Sequence, residues 1–111
     1  MAREVDAAGL EASGDAQLVD VRTEEERAAG RIPDDTAHIP FDELRERAGE
    51  LESDRTVVFY CRSGDRSAVA ADAFSAAGYD AVSLAGGIVA WQEGGRPVEG
   101  EVGHPSGLPP R

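Results

Sequence analysis

Thr56-Val-Val-Phe-Tyr-Cys61-Arg-Ser-Gly-Asp-Arg66-Ser67-Ala-Val-Ala-Ala-Asp72 is the stretch that decides how this chain is read. A short apolar, β-rich run stops at the only cysteine, a polar loop with one glycine and two arginines follows, and an alanine-rich segment continues at helical spacing. The order is strand, loop, helix, with the sole thiol at the hinge. Ligand chemistry in parallel α/β domains gathers at the carboxyl ends of strands. The next helix presents unpaired N–H groups and about half a positive charge at its first turn. A helix N-terminus and neighbouring arginines stabilise a thiolate placed there. A lone cysteine in an arbitrary protein is more often a core residue, but Arg62, Ser63, Gly64, Asp65 and Arg66 are residues that no core accepts. The loop therefore reads as reactive.

The 111 residues suffice for one domain with a modest core. No apolar run approaches the roughly 18 residues of a membrane span, and no signal-peptide pattern opens the chain. One cysteine makes no internal disulfide, so nothing points to an oxidising compartment, and a cytoplasmic location is expected. The 22 acidic residues outnumber the 11 basic ones, all arginine, for a formal net charge of −11. Nucleic acid and anionic membrane both require a basic face, so neither partner is expected. Carboxylates spread from Glu4 to Glu101, few aromatics and no lysine together suggest a solvated, halophile-like acidic surface rather than one binding patch.

From the start of the chain, Asp6 has the N-cap chemistry for a helix over Ala7–Ala12, ended by Ser13-Gly14-Asp15. Ala16–Arg22 reads as a buried strand. Thr23 with Glu26 three residues later is a capping box for a helix from Glu24 to about Ala29, stopped by Gly30. Thr36–Ile39 is a brief strand, and Asp42 is the expected cap of a helix that faces inward through Leu44, Ala48 and Leu51. Thr56–Tyr60 is the central strand. The helix after the cysteine loop carries Ala68, Val69, Ala71, Ala73, Phe74 and Ala77 to Gly78. Tyr79–Leu84 is the last strand, and Ala85-Gly86-Gly87 turns into a short helix with Ile88, Val89 and Trp91. Short apolar strands separated by helices predict an α/β domain with a mainly parallel sheet and helices on both faces. Residues 1–97 make that domain; residues 98–111, rich in proline, glycine and glutamate, read as a flexible tail.

These residues resemble the rhodanese-like domains, which transfer sulfane sulfur. The likeness runs from about Val5 to Pro97. Asp20-Val21-Arg22 with Glu26 matches the first motif, followed by Gly30-x-Ile32-Pro33 and His38-Ile39-Pro40; Cys61–Ser67 matches the active loop, Leu84–Trp91 the closing motif and Gly95-Arg-Pro97 the end. Each piece alone is weak, and their shared order and spacing are specific. The sequence departs from the pattern at Arg27, where an aromatic is common, at Arg31, which replaces a histidine, and at Asp34-Asp35, which replaces a small pair with one residue added. These positions lie away from the loop in sequence and bear on local packing and partner surface.

The resemblance implies a three-layer domain with a mainly parallel five-stranded sheet. It also implies a sulfurtransferase that moves sulfur from a donor such as thiosulfate to a thiophilic acceptor through a Cys61 persulfide, with no metal or organic cofactor. Arg62, Ser63, Gly64, Asp65, Arg66 and Ser67 would form the substrate-binding loop. Arg62 and Arg66 are the candidate cations for an anionic donor. Ser63 and Ser67 can donate to donor oxygens, and Ser67 can equally cap the helix. Asp20, Arg22 and Glu26 take structural roles, with Arg22 pairing Glu26 or tying loops together. His38 reads as a hydrogen-bonded strand residue, and with His104 in the tail makes no metal site. Trp91 and Ile88 read as core, and Gly86-Gly87 is too short for a phosphate-binding fingerprint.

Two other classes compete. Cysteine phosphatases carry Cys-x5-Arg, whereas here the sixth residue after Cys61 is Ser67 and Arg66 is the fifth, a smaller bowl suited to a sulfur atom. The other is a sulfur-relay or regulatory module that takes persulfide sulfur from one protein and passes it to another. It uses the same cysteine. Partners are accordingly a small anionic donor and a thiol or cyanide-like acceptor, with a protein acceptor as the alternative.

Overall fold

The computed structural model describes residues 3–100. Its elements, in chain order, begin with β1 (Glu4–Val5), α1 (Ala7–Ser13), β2 (Gln17–Asp20), α2 (Glu24–Ala29), β3 (Gly30–Arg31) and β4 (Ala37–His38). α3 (Leu44–Arg47) follows between two single 3-10 turns, Phe41–Glu43 and Ala48–Glu50. The chain then forms β5 (Val57–Tyr60), α4 (Asp65–Ala76), β6 (Ala81–Leu84), α5 (Gly87–Glu93) and β7 (Glu99–Gly100). Five strands make one parallel sheet in the order β1-β6-β5-β2-β4.

β5 occupies the middle, and its side chains alternate between two cores as a strand's period of two requires. Val57 and Phe59 face α3 and α4, packing with Val19, Leu44, Leu51, Ala71 and Phe74. Val58 and Tyr60 face α1 and α5, packing with Leu18, Val82, Ile88 and Trp91. Burial on both sides explains why β5 carries an unbroken apolar run. Cys61, one residue beyond β5, belongs to the α3–α4 core.

Thr23 and Glu26 form the expected capping box, and Asp6 caps α1 by accepting from the Gly9 amide at 2.8 Å. Reading the residues alone placed four strands; the fifth implied by the resemblance is the two-residue β1 at the sheet edge beside β6. The segment expected as a helix capped by Asp42 starts earlier. Phe41 follows Pro40 directly into a 3-10 turn, and no side chain caps α3. α4 buries Ser67, Ala70, Ala71 and Phe74, an i, i+3, i+4, i+7 stripe, and leaves Val69 exposed.

β3 and β7 form a separate antiparallel pair that the sequence did not suggest. Val98, assigned to the tail, packs against the Leu18–Trp91 core, and Glu99 and Gly100 pair with Arg31 and Gly30. The tail's remaining residues, 101–111, lie outside the described residues, as does His104. Among the described residues, no helix is long and apolar enough to cross a membrane.

Candidate functional site around Cys61

Three strand ends meet at the site. Tyr60 closes β5 with its carbonyl accepting from the Val21 amide at 3.0 Å, which locks the β5 and β2 ends together. The chain leaves the sheet at Cys61 and curls back. The Gly64 amide donates to the Cys61 Sγ at 3.0 Å, a turn made possible by φ of 109° at Gly64, in a region that favours glycine. Gly64 is also the N-cap residue of α4 and brings no side chain to that end, so the first turn of the helix opens toward the sulfur uncapped.

The loop is fastened from behind. The Ile88 and Val89 amides at the start of α5 donate to the Cys61 and Arg62 carbonyls at 2.9 and 3.1 Å. That approach requires Gly87, where a Cβ would lie 2.5 Å from the Cys61 oxygen and 2.4 Å from the Arg62 oxygen, at φ of 63°. The Gly86-Gly87 pair therefore serves neither as a plain turn nor as a phosphate cradle. It lets α5 clamp the loop backbone.

Ser67 is fully buried. Its Oγ lies 3.5 Å from the Cys61 Sγ, donates to the Gly64 carbonyl at 3.2 Å, and stands 2.7 Å from Ser83 Oγ on β6. It does not cap α4, because it is the third residue of the helix and Gly64 holds the cap position. Ser83 is a site residue that reading the sequence missed. Its signal was a single hydroxyl in the buried run Ala81-Val82-Ser83-Leu84.

The remaining loop side chains separate. Arg62, Ser63 and Asp65 are exposed. Arg66 is held in a two-point ion pair with Glu26, at 2.8 and 3.0 Å. That hydrogen-bonded guanidinium holds the Glu26 carboxyl at about 2, well below its ordinary range. Arg22 does not pair the Glu26 carboxylate. It makes a two-point pair with Asp20 at 2.9 and 3.0 Å, donates to the Gly30 carbonyl, and lies 5.5 Å from the centre of the Tyr60 ring. It reaches Glu26 only at the backbone carbonyl, because the Glu26 side chain is already held by Arg66 and Thr23. Asp20 and Arg22 thus tie the end of β2 to α2 and β3. His38 is hydrogen-bonded as expected, its Nε2 2.7 Å from the Arg22 carbonyl. A carbonyl only accepts, so Nε2 is the protonated nitrogen.

The positions that depart from the family pattern converge in space. Asp35, its side chain wholly buried, accepts two hydrogen bonds from Arg27, at 2.7 and 2.9 Å, and one each from Arg31 and the Tyr60 hydroxyl. Arg27 also reaches Asp20 at 3.2 Å, and Arg31 reaches Glu99 on β7. Burial, with the Asp20 and Asp35 charges nearby, pushes the Tyr60 phenol up. Distant from the loop in sequence, these residues lean on the same strand ends that carry Cys61.

A parallel α/β domain with a thiol at the end of its central strand, clamped between two helix N-termini, belongs to a defined class. Residues 5–94 match the rhodanese-like domain family, and the chain is a member of it. It is 41% identical over 103 residues to a sulfurtransferase of Allochromatium vinosum, covering 88% of this chain and 95% of that protein. A putative sulfurtransferase of Bacillus subtilis, YtwF, is 37% identical over 83 residues, covering 75% and 80% of the two chains. Among solved structures, a rhodanese-related protein of Thermoplasma volcanium superposes with a TM-score of 0.81 at 37% identity, covering 89% of this chain and 99% of that one.

Proposed function

We propose that this protein is a sulfurtransferase in which Cys61 carries the sulfur. The Cys61 thiolate attacks the outer sulfur of a donor such as thiosulfate. A sulfur–sulfur bond forms at Cys61, the donor's own sulfur–sulfur bond breaks, and sulfite leaves with the electron pair. A thiolate or cyanide-like acceptor then attacks the terminal sulfur of the Cys61 persulfide, and the cysteine leaves as thiolate. Dividing the transfer in two lowers the barrier of each half.

The observation that carries this reading is the Gly64 amide aimed at the Cys61 Sγ at 3.0 Å, at the open end of α4. A negative sulfur is the species that such a donor stabilises, and the curled backbone has the character of an anion-binding nest. The Ser67 hydroxyl lies 3.5 Å from the sulfur, and its one hydrogen serves a charged sulfur only by leaving the Gly64 carbonyl. Arg62, exposed and in no ion pair among the described residues, is the cation free to meet an anionic donor. Arg66 has Glu26 as its partner, and so does not reproduce the arginine of a phosphatase cradle.

The test is intact-mass measurement after exposure to thiosulfate, to an alkyl persulfide and, separately, to cell extract. Gain of one sulfur at Cys61 from a small donor supports an enzyme of free substrates. Gain only from extract would favour the relay module. Hydrolysis of aryl phosphates with no sulfur gain would overturn both.

A further inference from the structure

We propose that Glu26 determines which donors reach Cys61, by withholding the Arg66 charge from small anions. The inference rests on the sulfurtransferase reading and narrows its donor class toward neutral or weakly charged persulfides. Arg66 sits in the first turn of α4, near enough to Cys61 for a charge on the sulfur to act on it. Both terminal nitrogens of its guanidinium are held by the two Glu26 oxygens. A cation so paired presents little net field to an incoming anion.

Glu26 cannot readily swing aside for a donor. Its Oε1 also accepts from the Thr23 amide at 3.1 Å and the Thr23 hydroxyl at 3.3 Å, so the carboxylate is anchored to its own helix start while it grips Arg66. The carboxylate stays ionised down to strongly acid pH. A dianion must therefore compete with a fixed, permanently charged rival for the same guanidinium. A persulfide with a neutral organic group has no such contest.

Alkylation of Cys61 separates this from the sulfur chemistry. Iodoacetate, an anion, and iodoacetamide, neutral, both lose iodide to the same thiolate, so the ratio of their second-order rates reports local charge and cancels changes in thiolate fraction. Wild type, Glu26→Gln, Glu24→Gln and the double variant Glu26→Gln/Arg66→Gln are compared at low salt. Glutamine at this position keeps the capping box, and circular dichroism checks the fold. Glu26→Asp, too short for the two-point grip, is the reserve variant and should shift the ratio the same way.

Glu26→Gln should raise the iodoacetate-to-iodoacetamide ratio by about three- to tenfold, with the gain shrinking in molar salt. Glu24→Gln, an exposed charge on the same helix turn, should change it by less than about twofold. The double variant should return to within about twofold of wild type, since a neutral pair replaces a neutral pair. A Glu26→Gln ratio no higher than that of Glu24→Gln overturns the proposal, as does a double variant that keeps the gain. Failure of every donor to load sulfur would leave these ratios untouched and would count against the sulfurtransferase reading alone.

Discussion

The two sides of the site are held by different forces. The Cys61 loop is fixed by main-chain hydrogen bonds from α5 and by glycines that let backbones touch. The neighbouring end of β2, with α2 and β3, is fixed by charge: Asp20, Arg22, Arg27 and Asp35 form a largely buried network closed by the Tyr60 hydroxyl. The first arrangement tolerates changes of charge but no added atom. The second tolerates added atoms better than the loss of one partner, because a buried charge left alone costs far more than the intact pair contributes.

Gly87→Ala should give the largest effect. The new Cβ would meet two carbonyl oxygens at 2.4 and 2.5 Å, well inside van der Waals contact, in a left-handed conformation. Strain and overpacking together should cost about 2–4 kcal/mol. Denaturant unfolding reads that loss, and sulfur loading at Cys61 should fall further than stability does, because the clamp on the loop opens. Loading at the wild-type level would show that α5 does not position the loop.

Asp35→Ala should cost about 3 kcal/mol, the low end for a broken buried pair, since Arg27 and Arg31 still reach solvent. Cys61 alkylation should remain close to wild type. If alkylation collapses with stability, the two sides are one unit and the contrast fails. Smaller again is the domain edge. A chain ending at Pro97 should be less stable than one ending at Gly100 by about 1–2 kcal/mol, the worth of the Val98 contact with the Trp91 core. Equal melting of the two would show that β7 adds nothing.

The smallest effect is on acid stability. The folded-state pKa of Glu26, about 2, lies below its ordinary value, so its contribution is complete above about pH 4.5 and disappears as pH falls through 2. Solvent screening of this partly exposed pair reduces that contribution to about 1 kcal/mol. Glu26→Gln should therefore flatten the stability–pH curve over that interval. An unchanged slope would mean that the pair exists without stabilising the fold.

The same contrast explains what the sequence revealed. Cys61 and Gly64 follow local rules, strand end to loop to helix, and are written in contiguous residues. Thr23 and Glu26 announced α2 for the same reason. The Gly86-Gly87 pair was legible only as a turn, because the loop it clamps lies about 25 residues earlier in the chain. The capping box was legible, but the Arg66 partner of Glu26, forty residues away, was not. Of the two roles read for Arg22, tying loops together holds and pairing the Glu26 carboxylate does not, because one arginine among Asp20, Glu24, Glu25 and Glu26 gives no hint of which acid it faces. Arg27, Arg31 and Asp35 looked like unrelated departures from the family pattern until the fold closed them around Tyr60. β7 was hidden by composition, since glycine and glutamate carry no strand signal.

The central claim is that the Cys61 loop takes up sulfur as a persulfide. It is tested most directly by intact-mass analysis of wild type and Cys61→Ser after thiosulfate or alkyl persulfide treatment, with iodoacetamide blocking as a control. Wild type should gain one sulfur atom that prior blocking prevents. Cys61→Ser should melt as wild type does and gain none, because a serine hydroxyl is not ionised there and cannot hold a persulfide. Equal sulfur gain by Cys61→Ser, or no gain by folded wild type from any donor, would contradict the account.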